Sequence, residues 1–378
     1  MFDDIRPYYD SEISDAMHRI ADNSSFPVLA SFVFPEKNID EIREYLRGID
    51  SIHDFQSKVM YWANRQIISK SIDEFTFSGV EKIDPDKSYL LVSNHRDIML
   101  DAALLQNILI EHDLDTSEIT FGANLMKGEL IIDIGKSNKM FRVERPGGSM
   151  REFYKTSKHL SEYIRHTLLE KKQSVWIAQR NGRTKDGNDR TDQGIINMFR
   201  MSNAKDKIES IAELNIMPIA VSYEWEPCDI LKTLELYAHQ HGPYVKKPGE
   251  DLNSILTGIV QKKGRVHFEF CDPISANDLA GFTECNSNEF NKQVARLIDS
   301  RICTSYRLTP NNWIAHDILS GSATYSDNYT QEERDRFMTY MVQLDEYADG
   351  CDMHILEKIF LGIYANPVES KNIFNNIR

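Results

Sequence analysis

The amino-acid sequence predicts an α/β fold in which a mixed, mostly parallel sheet is flanked by helices. Between residues 73 and 285, short apolar runs of strand length alternate with segments of helical periodicity, as in sheets joined by crossover helices. On either side of this region only helical periodicity is found. We therefore predict a helical N-terminal domain over residues 1–72, an α/β domain over residues 73–285 and a helical C-terminal extension over residues 286–378.

The first part shows two amphipathic patterns. Apolar side chains recur at helical spacing at Ile13, Met17 and Ile20, and again at Ile39, Ile42 and Leu46. Because three or four residues separate neighbours in each set, each set forms one face of a helix. Proline follows phenylalanine at Pro27 and Pro35 and divides the region. We expect about three helices between Tyr8 and Lys70.

The middle part contains seven candidate strands, each a short apolar run. They are Phe75–Ser78, Tyr89–Ser93, Ile119–Ala123, Lys139–Val143, Val175–Ala178, Ile216–Tyr223 and Val266–Phe270. Helical patterns such as 99–110 and 150–171 lie between most of them. In sheets of this kind, active sites lie on the loops beyond the strand ends.

The last part returns to a helical pattern. Phe290, Val294 and Ile298 share one face, and the run from Thr330 to Glu333 has the spacing of a helix-capping box. These signals predict helices from about residue 286 onward.

The charge of the chain is unevenly distributed. Its 378 residues carry a formal charge of −14, which argues against a general nucleic-acid coat protein. Residues 136–190 contain 14 Lys and Arg against 6 Asp and Glu, a local balance of +8, so the remainder carries −22. We expect one basic face that attracts an anion. The alternatives are a solvated lysine-rich helix face, or an RNA site, for which no aromatic-rich motif is found.

Cysteine usage and hydropathy predict a cytoplasmic protein. The five cysteines are scattered without a C-x-x-C pair or zinc-ligand spacing, which favours reduced, structural thiols. The first six residues show no basic stretch or apolar segment typical of a secretory signal. No run approaches the 18 apolar residues that a membrane span needs.

The most informative segment is the run from Leu90 to Leu105. Its apolar strand ends in the polar residues SNHRD, and a helical pattern follows. His95 is thereby placed on a strand-to-helix turn, where an imidazole can act as a general base if a carboxylate orients it. Asp97 and Asp101 are both near enough in sequence to do so.

This run resembles the first motif of the glycerolipid acyltransferases, which is Asn-His, four residues and an Asp. Three further motifs of that family, the glycerol-3-phosphate and lysophosphatidate acyltransferases, follow in order. The second resembles MFRVER over residues 140–145, the third VWIAQRNGRTKDG over 175–187, and the fourth IMPIAV over 216–221. The resemblance covers about residues 75–225 and rests on the order of four motifs, each weak alone.

Two departures from the family pattern are present. His95 and Asp101 enclose five residues rather than four, which a bulge ahead of the helix would absorb, and Asp97 is the reserve candidate for orienting His95. Where the family carries Glu before its Gly, this chain has Asn181 before Gly182, or Arg180 if the gap is placed differently. The loss of that charge leaves open a weakened or altered activity.

The resemblance implies a catalytic role for His95, which would deprotonate an acceptor hydroxyl as that hydroxyl attacks an acyl thioester. Asp101 would orient the imidazole. Backbone amides near Asn181 and Gly182 would stabilise the oxyanion or position the acceptor.

The resemblance also implies a phosphate site on the second and third motifs. Arg145 and Arg183 would bind the phosphate of the acceptor, with Arg142 and Lys185 as helpers. Arginine suits this role because its planar guanidinium can bind two oxygens at once.

The activity so implied is transfer of a fatty acyl group from acyl carrier protein or coenzyme A to glycerol-3-phosphate or lysophosphatidate. The thioester would be a co-substrate, and no tightly bound cofactor, metal or nucleic acid is expected. We expect the protein to be cytoplasmic and to contact the inner face of a membrane peripherally. The alternatives are an O-acyltransferase for a non-phosphorylated lipid acceptor and a catalytically weakened lipid- or carrier-binding member of the fold.

Overall fold

The structure, a computed structural model, describes residues 2–144, 149–203, 206–242, 244–347 and 349–376. Seven strands in these residues form one sheet. They are β1 (Ile72–Ser78), β2 (Leu90–Ser93), β3 (Glu118–Gly122), β4 (Met140–Val143), β5 (Val175–Ala178), β6 (Ile216–Tyr223) and β7 (Gly264–Phe270).

The sheet is mixed and mostly parallel, in the order β1-β7-β6-β2-β5-β3-β4. The five strands from β6 to β4 run parallel, whereas β7 is antiparallel to β6 and parallel to β1. The predicted fold class is therefore confirmed, and β5 and β6 have the bounds that their apolar runs predict.

Twelve α-helices of the described residues lie before or within the sheet, and those before it are more numerous than their periodicity indicates. They are α1 (Asp10–Asp22), α2 (Phe26–Val33), α3 (Ile39–Arg47), α4 (Ile52–Phe55), α5 (Tyr61–Ser71), α6 (Leu100–Glu111), α7 (Glu129–Ser137), α8 (Met150–Arg165), α9 (Gln193–Arg200), α10 (Glu209–Ala212), α11 (Asp229–His241) and α12 (Glu250–Val260). Five of them, α1 to α5, precede the sheet where about three were expected. One reason is Pro27, which lies in the first turn of α2 and is tolerated there because the amides of that turn need no partner.

Five further helices follow the sheet. They are α13 (Ala276–Leu279), α14 (Ser287–Ser305), α15 (Pro310–Ser320), α16 (Gln331–Met341) and α17 (Met353–Asn375). The capping box predicted at Thr330 is present at the start of α16. Among the helices of the described residues, none is both long and apolar enough to cross a membrane.

Both faces of the sheet are buried against helices. Successive strand residues point to opposite faces, so Leu90 and Val92 pack with Val294 and Ile298 of α14 on one face. On the other face Leu91 packs with α6 and with the end of α5. Helices from both predicted flanking parts thus complete the core of the sheet, and the division into three parts stays a prediction.

Candidate active site

His95 lies in the turn that joins β2 to α6, at the carboxyl end of a central strand. Its side chain is 14% exposed and lines a cavity of about 680 Å³. The ring of Trp176, from the neighbouring strand β5, contacts the imidazole edge-on at 5.9 Å between centroids. The backbone carbonyl of His95 accepts a hydrogen bond of 2.7 Å from the amide of Thr184 in the third motif. The imidazole is therefore held in place and still reaches the cavity.

The carboxylate of Asp101 is fully buried and is the hydrogen-bond partner of His95. Its Oδ2 lies 3.0 Å from His95 Nδ1 and also accepts from the backbone amides of Arg96 (2.7 Å) and Asp97 (3.0 Å). Its Oδ1 accepts from the hydroxyl of Tyr223 at 2.9 Å. Because the carboxylate accepts at Nδ1, the Nε2 of His95 is the nitrogen that can take up a proton. The longer His–Asp spacing is accommodated because the amides of the turn wrap around the carboxylate.

Asp97, the reserve candidate, has a different place. Its Oδ1 accepts from the backbone amides of Met99 (2.9 Å) and Leu100 (2.8 Å) and so caps the start of α6. Its Oδ2 is buried without a hydrogen-bond partner in the described part of the chain. The turn thus presents Asp101, not Asp97, to the imidazole.

The predicted phosphate-binding residues do not all reach the cavity. Arg183 and Lys185 line it, and the buried Nη1 of Arg183 has no hydrogen-bond partner among the described residues. Lys185 forms an ion pair with Glu235 of α11. Arg142 is 43% exposed and pairs with Glu144 at 2.6 Å. Arg145 lies outside the described residues.

The third motif also supplies the turn predicted to stabilise an oxyanion. Asn181 and Gly182 line the cavity together with Arg180. Gly182 has a φ of 75°, a left-handed conformation that glycine adopts readily. Asn181 is exposed, so the amide side chain present where the family has Glu is accessible from the cavity.

The cavity has one polar and one apolar wall. The polar wall contains His95 and the third-motif residues described above, with carboxylates of Asp186 and Asp192 among them. The apolar wall consists of side chains from the second motif, α8, β5 and α9: Val143, Phe153, Leu160, Ile177, Ile195 and Met198. An elongated apolar group can therefore lie beside the imidazole.

Asp189 is a site residue that the sequence analysis missed. Its buried carboxylate accepts from Asn94 Nδ2 (2.9 Å), from Arg96 Nη2 (2.6 Å) and from Thr184 Oγ1 (2.8 Å). It thereby joins the first motif to the third, across the ends of β2 and β5. Asp189 lies in a polar run of ten residues. Hydropathy does not show that such a run is buried, so the only sequence signal for Asp189 was its position close to the third motif.

A second buried acidic residue, three positions after the end of β6, contacts the same turn. Glu226 accepts from Arg96 Nη1 (3.1 Å) and from the Nζ of Lys232 on α11 (2.5 Å). Lys232 also donates to the backbone carbonyl of Arg96 at 2.7 Å. The two cations and the two carboxylates of this cluster compensate each other in a region that water does not reach.

Helix α17 lies against the third motif, which the sequence did not indicate. Gly187 approaches it so closely that a Cβ there would lie 2.1 Å from the carbonyl oxygen of Ile363. Asn366 Nδ2 donates to the carbonyl oxygen of Asp186 at 2.7 Å. The third-motif loop is therefore fixed by a helix of the C-terminal extension.

The basic stretch of residues 136–190 does not form one continuous face. Lys139 is half-buried and donates to Gln173 Oε1 at 2.9 Å, and Arg165 donates to two backbone carbonyls within the core. Burial lowers the pKa of both groups. The expectation of a single basic face is wrong for these residues, because they satisfy buried acceptors instead of facing solvent. Among the described cations of this stretch, only Arg180, Arg183 and Lys185 of the third motif line the cavity.

No group of three or more His, Cys, Asp or Glu side chains arranged to hold a metal ion occurs in the described residues. The buried carboxylates of Asp101, Asp189 and Glu226 accept hydrogen bonds from side chains and backbone amides of the described residues.

Comparison with known proteins identifies the class of the molecule. Residues 74–222, which run from within β1 to near the end of β6 and include His95, match the family model described as Acyltransferase. The fold and the site thus belong to an acyl-transferring enzyme. The match covers the part of the chain that carries the four motifs, and the resemblance seen in those motifs is confirmed for these residues.

The chain is also similar to the 1-acyl-sn-glycerophosphate (LPA) acyltransferase PlsC from Thermotoga maritima. The two are 15% identical with a TM-score of 0.34, over 76% of this chain and 93% of that chain. No curated protein matches the chain.

Proposed function

We propose that the protein transfers a fatty acyl group from a thioester to a hydroxyl of a phosphorylated glycerol compound in phospholipid synthesis. The observation that carries this proposal is the pairing of His95 Nδ1 with the buried Asp101 carboxylate at 3.0 Å, beside a cavity with an apolar wall. The pairing leaves Nε2 as a base, and the apolar wall suits an acyl chain.

The reaction follows from this geometry. Nε2 of His95 takes the proton of the acceptor hydroxyl as its oxygen attacks the thioester carbonyl carbon. The new oxygen–carbon bond forms, the carbon–sulfur bond breaks, and the imidazolium returns the proton to the leaving thiolate. Asp101 holds the tautomer and stabilises the imidazolium. A positioned base of this kind typically contributes about 10²–10⁴-fold in rate.

The phosphate of the acceptor would be bound by the third motif. Arg183 Nη1 is the best candidate donor, because it is buried beside the cavity and has no hydrogen-bond partner among the described residues. Lys185 and Arg180 line the same cavity, and by the resemblance Arg145 contributes as well. The backbone at Asn181 and Gly182 would stabilise the oxyanion. Glycerol-3-phosphate and lysophosphatidate both carry the phosphate that these groups would bind.

The donor would be acyl carrier protein or coenzyme A carrying the acyl chain, as a co-substrate and without a tightly bound cofactor. Its chain would lie along the apolar wall formed by β5, α8 and α9. We further propose peripheral contact with a membrane, since the acyl chains of the products favour a lipid phase.

The proposal is tested by following thioester consumption with glycerol-3-phosphate and with lysophosphatidate as acceptors. We expect His95→Ala to lower kcat by about 10²–10⁴-fold, because no other base replaces Nε2. His354→Ala, an exposed histidine at the start of α17, is the matched control and should retain full activity.

Two results would contradict the proposal. One is a His95→Ala variant as active as the wild type, because His95 could then not be the base. The other is a wild-type protein that acylates neither phosphorylated acceptor. Acylation of a non-phosphorylated lipid alcohol in the same assay would then identify the alternative substrate class.

A further inference from the structure

Helix α12 exposes a row of aliphatic side chains. Leu252, Leu256 and Val260 are four residues apart and therefore lie on one face of the helix. Their exposed fractions are 57%, 54% and 72%. A surface helix normally turns such a row toward the core, but here the buried residues are Ser254 and Gly258 of the opposite face.

The buried face of α12 lies against the turn that carries the proposed base. A Cβ on Gly258 would lie 2.2 Å from Oδ2 of Asp97, which caps α6. In the first turn of α12, Asp251 lines the active-site cavity and accepts from Asn124 Nδ2 at 3.0 Å. The exposed row and the cavity are therefore on neighbouring parts of the same helix.

Lysines flank the row at both ends of α12, and the first turn of the helix also holds Glu250 and Asp251. Lys246 and Lys247 precede the helix, Lys262 follows it, and all three are exposed. Lys246 also neutralises Asp251, at 2.5 Å. Aliphatic side chains between lysines fit a lipid surface that carries negative charge, because the chains enter the interface and the lysines contact phosphate groups.

We propose that α12 docks the protein onto an anionic lipid surface, with Leu252, Leu256 and Val260 entering the interface. This inference rests on the proposed function, in which acceptor and product are amphiphiles held in such a surface. Docking through α12 brings the cavity that contains His95 to the lipid from which the acceptor would come. Substrate then reaches the cavity without crossing bulk water.

The test is co-sedimentation of the full chain with vesicles of phosphatidylcholine, with and without phosphatidylglycerol. The variant combines Leu252→Gln, Leu256→Gln and Val260→Thr, which keep side-chain size and suit an exposed helix. Each lost aliphatic contact is expected to weaken partitioning about fivefold, so the triple variant should bind about 100-fold more weakly. Ile373→Gln, which changes an equally exposed residue on α17 (56%), should bind as the wild type does.

A second variant tests the charges. Lys247→Gln with Lys262→Gln should weaken binding to phosphatidylglycerol vesicles by about fivefold for each lysine and leave the weaker binding to neutral vesicles unchanged. Binding by the wild type should fall with added salt, and that dependence should be smaller in the variant.

Activity separates failure of this inference from failure of the proposed function. His95→Ala should bind vesicles like the wild type, and the triple α12 variant should keep its kcat on water-soluble glycerol-3-phosphate. Unchanged vesicle binding by the triple variant would overturn the inference. So would a wild-type dimer that the triple variant converts to monomer without any vesicle binding, since α12 would then join two copies. Vesicle binding through α12 without any thioester consumption would overturn the proposed function and leave the docking surface standing.

Discussion

At the scale of single residues, the environment of Asp101 determines what His95 can do. The carboxylate has no exposed surface and accepts from an imidazole, two backbone amides and a tyrosine hydroxyl. Sequence spacing identified the His and the Asp, because both lie in one short motif. It did not identify Tyr223, 122 residues away along the chain, since a contact across the sheet leaves no local pattern.

Substitution of the two carboxylates near His95 should affect activity differently. Asp101→Asn should lower kcat by about 10²–10⁴-fold. An amide has only one accepting oxygen and no charge, so it neither fixes the tautomer of the imidazole nor stabilises the imidazolium. Asp97→Asn should lower kcat less than about tenfold, because the side-chain oxygen can still cap α6. Steady-state kinetics on both variants measures the difference. A larger loss for Asp97→Asn would show that the other carboxylate orients His95.

At the scale of elements, the strands were predictable and several helix contacts were not. All seven strands lie at the apolar runs, because alternating and continuous apolar runs are direct consequences of burial in a sheet. The close contacts of α12 and α17 with the motif loops depend on glycines such as Gly258 and Gly187. A sequence shows where a glycine lies but not which atom of another element packs against it.

Gly258→Ala should therefore damage the site through α12. The added methyl group would lie 2.2 Å from Asp97 Oδ2, so the Asp97 carboxylate that caps α6 must turn or α12 must move. We expect a loss of stability of about 1–3 kcal/mol and a fall in kcat, measured by urea denaturation and by thioester consumption. Gly281→Ala is the control, because nothing lies within 4 Å of its added Cβ. Equal stability of the two variants would contradict the close contact.

Helix α14 makes a pH-dependent contact with the third-motif loop. Asp299 accepts from the amide (2.7 Å) and the hydroxyl (2.6 Å) of Thr191, and burial raises the pKa of this carboxyl from 3.8 to about 6. Because the folded state holds the proton more tightly than the unfolded state, the group costs stability as the pH rises from about 4 to about 6.

The variant Asp299→Asn removes this titration and keeps an oxygen that can accept from Thr191. Its free energy of unfolding, relative to the wild type, should increase between pH 4 and pH 6 by about 2 kcal/mol and stay constant above that range. Urea denaturation at pH 4, 5, 6 and 8 measures the difference. A difference that does not change with pH would show that the carboxyl titrates normally.

At the scale of the whole molecule, the net charge of −14 says less about the site than the charges that are buried. The basic stretch predicted from the sequence is divided between core, surface and cavity. A linear count of charges misses this division, because it cannot tell a solvated lysine from one that satisfies a buried carbonyl. The cluster of Arg96, Lys232, Asp189 and Glu226 joins the turn of the first motif to the third motif, to the end of β6 and to α11. Apart from the contact of Lys232 with Glu226, six residues apart, these contacts join residues at least 93 positions apart, so only the fold reveals them.

Arg96→Met tests the importance of this cluster to the molecule. The guanidinium is fully buried and donates to both Asp189 and Glu226, so its removal leaves two buried carboxylates with too little positive charge. Breaking such a pair costs about 3–5 kcal/mol, and the variant should unfold at a correspondingly lower urea concentration. Arg142→Met removes the exposed pair with Glu144 and should cost at most about 1 kcal/mol. Similar losses in the two variants would mean that the buried cluster does not hold the motifs together.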